Sequence, residues 1–207
     1  DGTLVPLLKP ISEGNLKALR WASGQGIEII PATGRFWPST PDALRSLEFI
    51  RYAIILNGAA VLDVRNDQLL MCENIPAKRA LEILDILRNY DGICECFLNN
   101  HTYIERAAYE RLMELLPKTL KMPPRSKKLS GNFRVIVDDF PTFITQECDS
   151  IQKLQLFFSD MEERARALRE LPALLPDCAV TTSAFMNAEI NSKKANKGNA
   201  LKFLVKI

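Results

Sequence analysis

A chain of 207 residues holds one large domain or two small ones. Hydrophobic residues make up 47% and charged residues 25%, the ordinary balance of a globular protein that buries a sizeable core. A formal net charge of +2 demands no polyanionic partner, and no apolar run reaches the ~20 residues that a membrane helix needs.

Ser12 predicts a helix cap, followed by a helix over Glu13 to Ser23 with Leu16 and Leu19 on one face and Gly24 and Gly26 at its end. "IEIIPAT" reads as a short buried strand that stops at the turn of Gly34. Thr40-Pro41-Asp42 supplies a cap, a first-turn proline and an acid, opening a helix through Leu44, Leu47 and Ile50. "YAIILNGA" is a second apolar strand, ending in Asn-Gly. Strand, helix, strand, helix in this order predicts an α/β fold with a parallel sheet.

The rhythm then changes. "AVLDVRNDQLLMCE" predicts a hairpin around Asn66-Asp67, and Pro76 opens a helix with Leu81, Leu84 and Leu87. "GICECFLNNHTYIER" predicts a second hairpin turning at Asn99-Asn100. A helix near Ala107 to Leu116 leads into a loop with Lys118, Lys121, Arg125, Lys127 and Lys128. That run reads as a solvated stretch, able to draw anions but without the interleaved aromatics of a nucleic-acid surface. In "IQKLQLFFS", Leu154, Leu156 and Phe158 alternate with polar neighbours as in a half-buried strand. Asp160 caps a helix to Leu171, "CAVTTS" and "NAEIN" are strands, and "NKGNALKFLVKI" opens a last helix. Hairpins mixed with helices predict an antiparallel α+β unit inserted into the α/β one. No signal peptide is visible, although a trimmed N-terminus hides one equally well.

Five scattered cysteines argue against a disulfide framework and for a reducing cytoplasm. Cys94 and Cys96 share a face if they lie on a strand, but no His or second Cys pair completes a metal set, so both read as small buried hydrophobes.

Several short strings carry chemistry. In "IPATGRFW", Thr33 falls where a strand of an open α/β sheet ends, which is where such folds bind ligands. Gly34 lets the backbone come close and Arg35 follows. A hydroxyl, amide N–H groups and a guanidinium grip anions, although a capping Thr and a turn Gly account for the same string. In "NKGNAL", Lys197 stands at a helix start, where the macrodipole disfavours a cation unless an anion binds nearby; a solvated lysine is the competing reading. Asp1 and Asn57-Gly58 are turn residues before they are site residues.

In order, "DGTL", "ATGR", "LNGAAVLD" and "AEINSKKANKGNAL" resemble the haloacid dehalogenase superfamily, in particular the Cof-type phosphatases with a large mixed α/β cap. The resemblance spans nearly the whole chain. It implies a Rossmann-like parallel-sheet core formed by residues 1–63 and 185–207, incomplete in this chain, with an α+β cap over 64–184. The family's first motif is Asp-x-Asp-Gly-Thr-Leu, and Asp1 matches its second Asp. The chain is therefore expected to start two residues after the nucleophile and to stop before the acidic loop that holds magnesium. A truncation is the expected cause, and no turnover is expected from these 207 residues alone.

The resemblance further implies the chemistry. Asp1 is the general acid and base, and its backbone carbonyl is a magnesium ligand. Thr33 and the Gly34 N–H hold the phosphate, Lys197 adds positive charge, and Arg35 and Asn57 touch the phosphate or substrate. The cap chooses the leaving group, with His101, Tyr103 and Glu105 as candidate substrate-facing residues, although a solvent-facing hairpin edge fits their pattern better. The implied activity is magnesium-dependent removal of phosphate from a small metabolite, a sugar phosphate or a phosphorylated cofactor, through an aspartyl-phosphate, with neither nucleic acid nor membrane as partner. Two alternatives stay open: a non-catalytic binding module on the same fold, and a phosphomutase.

Overall fold

The structure is a computed structural model and describes Leu4, residues 11–119 and residues 134–207, the side chains of 116–119 excepted. Asp1, Lys121, Arg125, Lys127 and Lys128 lie outside the described residues. Contacts divide the chain into two compact units: one runs through Cys72 and resumes at Asn196–Ile207, and the other is Glu73–Ala195.

In the first unit, α1 (Glu13–Gly24) starts as its cap predicts, with the Ser12 hydroxyl accepting from the Asn15 N–H at 3.2 Å. The segment after it forms no long strand. Its pairing is one parallel bridge, Ala32 to Ile54. The helix expected from Thr40 through Ile50 is a single turn, α2 (Asp42–Arg45), without a side-chain cap. The Thr40 hydroxyl turns back to the Phe36 carbonyl instead, and Leu47 and Ile50 close tighter turns onto Leu44 and Leu47. Both side chains are still buried, so the apolar spacing predicted burial correctly and helix length wrongly.

β1 (Tyr52–Ile55), β2 (Ala60–Asp63) and β3 (Gln68–Cys72) form an antiparallel three-stranded sheet. The β2–β3 hairpin turns where Asn66-Asp67 predicts, with Asp67 at φ 49°. This pairing draws Val64–Cys72 into the first unit, past the boundary expected at residue 63.

The second unit opens with β4 (Ile75–Pro76) and α3 (Ala77–Leu87), which buries Ala80, Ile83, Leu84 and Leu87. β5 (Ile93–Leu98) and β6 (His101–Glu105) form the predicted hairpin, with Asn99 and Asn100 both at positive φ as its two-residue turn requires. α4 (Arg106–Thr119) follows, with Lys118 in its last turn. Then come β7 (Arg134–Val137), α5 (Phe140–Glu147), β8 (Ser150–Ile151), β9 (Lys153–Phe157), α6 (Met161–Leu174), β10 (Cys178–Thr181) and β11 (Asn187–Ser192). Six strands pair in the order β10-β11-β9-β5-β6-β7, antiparallel except for β6 with β7. Because β11 pairs with both β9 and β10, residues 187–192 belong to this unit and not to the core segment expected from 185.

Alternation gives this sheet two unlike faces. Cys94, Cys96, Leu154, Leu156, Ala188 and Ile190 join the apolar cluster with Leu84, Phe140, Ile144 and Leu171. Burying each large side chain there contributes roughly 1.5–3 kcal/mol. Burial also pushes the Cys94 and Cys96 thiols well up, which suits packing and not metal ligation. None of the five cysteines is in a disulfide. The chain returns to the first unit with α7 (Lys197–Leu204), whose Asn196 cap accepts from the Asn199 N–H at 2.8 Å. Among the described residues no helix is long and apolar enough to cross a membrane.

Candidate functional site

Three distant segments meet in the first unit. The first two are zipped by backbone bonds: Ile54 N–H to Pro31 C=O at 2.8 Å, Thr33 N–H to Ile54 C=O at 2.9 Å, Leu56 N–H to Arg35 C=O and Asn57 N–H to Thr33 C=O, both at 3.0 Å. The parallel pairing of one bridge thus continues around the loop that carries Thr33. The turn beneath it is unusual. Leu56, Asn57 and Gly58 lie in succession at φ 51°, 64° and 98°. For a leucine and an asparagine such backbone costs of order 1–3 kcal/mol each.

Gly58 reaches the third segment. A Cβ built on it would stand 2.2 Å from the Asn196 carbonyl carbon, 2.4 Å from its oxygen and 2.6 Å from the Lys197 nitrogen. Only a residue without a side chain lets the two backbones come this close. Asn196 caps α7 and Lys197 is its first residue, so the turn after β1 is pressed against the start of that helix.

Thr33 is half-buried and its Oγ1 accepts from the Arg35 N–H at 3.1 Å. A hydroxyl that accepts in this way still has its own proton to donate. Lys197 is exposed at the helix start. The Arg35 guanidinium donates to the Ser39 carbonyl at 3.3 Å, within its own loop, where Phe36 and Trp37 are buried. Asn57 is half-buried in the strained turn. The structure therefore brings Thr33, Asn57 and the Lys197 backbone together and places Arg35 beside them. A hydroxyl donor and backbone amides in one neighbourhood, with a lysine as the first residue of the adjoining helix, are group types that suit a phosphate dianion. Among the described residues no group of three His, Cys, Asp or Glu gathers where a metal ion could sit.

In the second unit the hairpin candidates have structural work. β6 is not an edge, since β7 covers it. Tyr103 stacks on Phe143 with ring centroids 4.4 Å apart, and the Glu105 carboxylate accepts from the Phe140 N–H at 2.8 Å, at the start of α5. His101 stays exposed, its Nδ1 2.8 Å from the Asn99 carbonyl.

The opposite face of the same sheet holds what alternation alone did not reveal. Lys153 and Glu189, 2% and 3% exposed, pair at 2.9 Å, and the Lys153 ammonium sits 4.1 Å from the Phe97 ring centre. Lys153 also donates to Gln155, Gln155 to Glu95 at 3.4 Å, and Arg134 pairs with Glu95. Ser183 donates to Glu189 at 3.0 Å, and the Asn187 amide oxygen accepts from the Ser183 and Ala184 N–H groups. The signal in the sequence is charge and amide at alternate positions of "KLQLF", which fits the polar side of a half-buried strand.

Comparison with known proteins agrees with this architecture. The family model described as haloacid dehalogenase-like hydrolase matches residues 1–207. The chain is 29% identical to Phosphatase YwpJ of Bacillus subtilis over 217 residues, covering all of this chain and 75% of that protein. Among solved structures, a haloacid dehalogenase-like hydrolase from B. subtilis superposes with TM-score 0.77 at 28% identity, over 100% of this chain and 75% of that one. The subclass IIB sugar phosphatase BT4131 superposes with TM-score 0.75 at 19% identity, over 100% of this chain and 72% of that one.

Proposed function

The chain belongs to the haloacid dehalogenase-like hydrolase family, and from this premise we propose that it is a Cof-type phosphatase that removes phosphate from a small phosphorylated metabolite in the cytoplasm, with Thr33, Gly34 and Lys197 gripping the transferred group. The observation that carries the proposal is the clasp of Asn57-Gly58, which joins the Thr33 loop to the start of the Lys197 helix.

Phosphoryl transfer asks mainly for positioning and for neutralised charge. The Thr33 proton and the Gly34 N–H donate to non-bridging oxygens while the Lys197 ammonium offsets the dianion. Arg35 and Asn57 flank the bound phosphate. By the family pattern the attacking carboxylate belongs two positions before Asp1, and the phosphoryl group passes to it as an aspartyl-phosphate. The Asp1 carboxyl gives its proton to the leaving alcohol and then takes one from the water that releases phosphate. By the family's general use of magnesium, the Asp1 carbonyl would be one ligand of that ion, which would neutralise charge on the phosphate; among the described residues no group of three His, Cys, Asp or Glu gathers to hold it. The second unit is proposed as the cap that selects the leaving group, a sugar phosphate or a phosphorylated cofactor.

The test is phosphate release by the full-length protein with magnesium, across a panel of sugar phosphates and phosphorylated cofactors. Asp1→Asn is expected to lower kcat by about 10²–10⁴-fold. Undiminished turnover in that variant rejects the role given to Asp1.

A further inference from the structure

We propose that Gly58 is a positioning residue of the phosphate site: it sets how near the start of α7, and with it Lys197, stands to Thr33. The inference rests on the phosphate-gripping roles given above and adds a residue that touches no substrate. Two independent features bear on position 58. Its φ of 98° asks for glycine, but a left-handed turn alone does not, since Asn57 beside it holds φ 64°. The second feature is the approach of 2.2–2.6 Å between a Cβ at 58 and the Asn196–Lys197 backbone. That contact is with main chain, which cannot swing aside as the tip of a long side chain does.

The other partners of this region are fixed. The Asn57 N–H is bonded to the Thr33 carbonyl, and the Thr33 N–H to Ile54 in the sheet. On the far side, Asn196 is held by its own cap bond to Asn199, and its carbonyl accepts from Ala200 at 3.1 Å. Between these two anchored pieces, Gly58 is a point of direct backbone approach. Any side chain there drives them apart by about 1 Å before ordinary contact distance is restored, and a displacement of that size at a phosphoryl site costs about 100-fold in rate.

The experiment is a double-mutant cycle on the full-length protein with magnesium and a substrate found by the panel. Gly58→Ala is expected to lower kcat about 100-fold, and less than about threefold further when Lys197→Ala is already present, because the group it positions has gone. Asn196→Ala loosens the same backbone from the cap side without a clash. It is expected to show the same dependence on Lys197, and it serves if Gly58→Ala folds poorly. Losses that multiply in both cycles, full activity in Gly58→Ala, or full activity in Lys197→Ala each overturn the inference and leave the phosphatase assignment standing. A readout independent of turnover separates the two claims. On titration with inorganic phosphate, the amide NMR signals of 33–34 and 197–198 shift together in the parent protein. In Gly58→Ala the second pair is expected to drop out. Joint shifts in the variant overturn the positioning role even if no substrate is ever turned over.

Discussion

The first unit keeps its interesting polar groups at the surface over strained backbone, while the second keeps them inside a regular sheet. Lys197 is exposed and Thr33 half-buried, above a turn with three successive positive φ angles. Lys153 and Glu189 are 2% and 3% exposed in extended strands and satisfy each other. Strained backbone near the surface is a common setting for ligand sites, whereas burial with mutual satisfaction makes a scaffold. The two units also use glycine differently. Gly58 is closed by main chain, whereas a Cβ on Gly92 meets the side chains of Leu156 and Phe158 at 3.2–3.3 Å without a left-handed φ.

The largest expected effect follows from that last contrast. Gly58→Ala should destabilise the protein by about 3–5 kcal/mol, the sum of a backbone clash and a disfavoured φ. Gly92→Ala should cost about 1 kcal/mol, because leucine and phenylalanine side chains yield. Urea unfolding of both variants measures the difference, and equal losses erase the distinction between the two glycines.

The buried pair comes next. Lys153→Met removes the ammonium paired with the buried Glu189 carboxylate and should cost about 3 kcal/mol. Adding Glu189→Gln removes the buried charge as well and should restore most of the loss. If the double variant is no better than the single one, the network stabilises through packing and not through charge.

Sequence reading reached this architecture unevenly. The hairpins at Asn66-Asp67 and Asn99-Asn100 were legible because their turn chemistry is local, as was the Ser12 cap. The one-turn helix at Asp42–Arg45 was read too long because apolar spacing reports burial, and Leu47 and Ile50 bury themselves through turns just as well. Thr33, Asn57 and Lys197 were legible as strings. That Gly58 joins the Thr33 loop to Asn196–Lys197 was not, since no local pattern records a contact between backbones so far apart in the chain. The Lys153 network escaped because alternation separates the two faces of a strand and does not say whether the polar one is covered.

Two threonines sharpen the same contrast at smaller scale. Thr33→Val should lower kcat/KM by about 100-fold through the lost hydroxyl donor while changing stability by less than about 1 kcal/mol. Thr102, in the second unit, is 2% exposed and its hydroxyl has no hydrogen-bond partner among the described residues. Thr102→Val should leave phosphate release unchanged and raise stability by about 1 kcal/mol, since it removes an unsatisfied buried oxygen. Steady-state kinetics and unfolding on the same two variants separate a hydroxyl that serves turnover from one that only lowers stability.

The smallest effect is set by pH at the surface of the second unit. Hydrogen bonds from Arg166, and then from the Asp91 N–H, hold the Glu163 carboxyl at about 2 against an ordinary 4.5. A carboxyl depressed in the folded state contributes its full stabilisation above the unfolded value and loses it as pH falls through the folded one. The stability difference between the parent and Glu163→Gln should therefore be constant above pH 4.5 and shrink steadily between about 4.5 and 2. Thermal unfolding across that window reads it directly. A difference that persists at pH 2 would mean that Glu163 holds Arg166 and Asp91 through geometry that an amide cannot copy, and not through its charge.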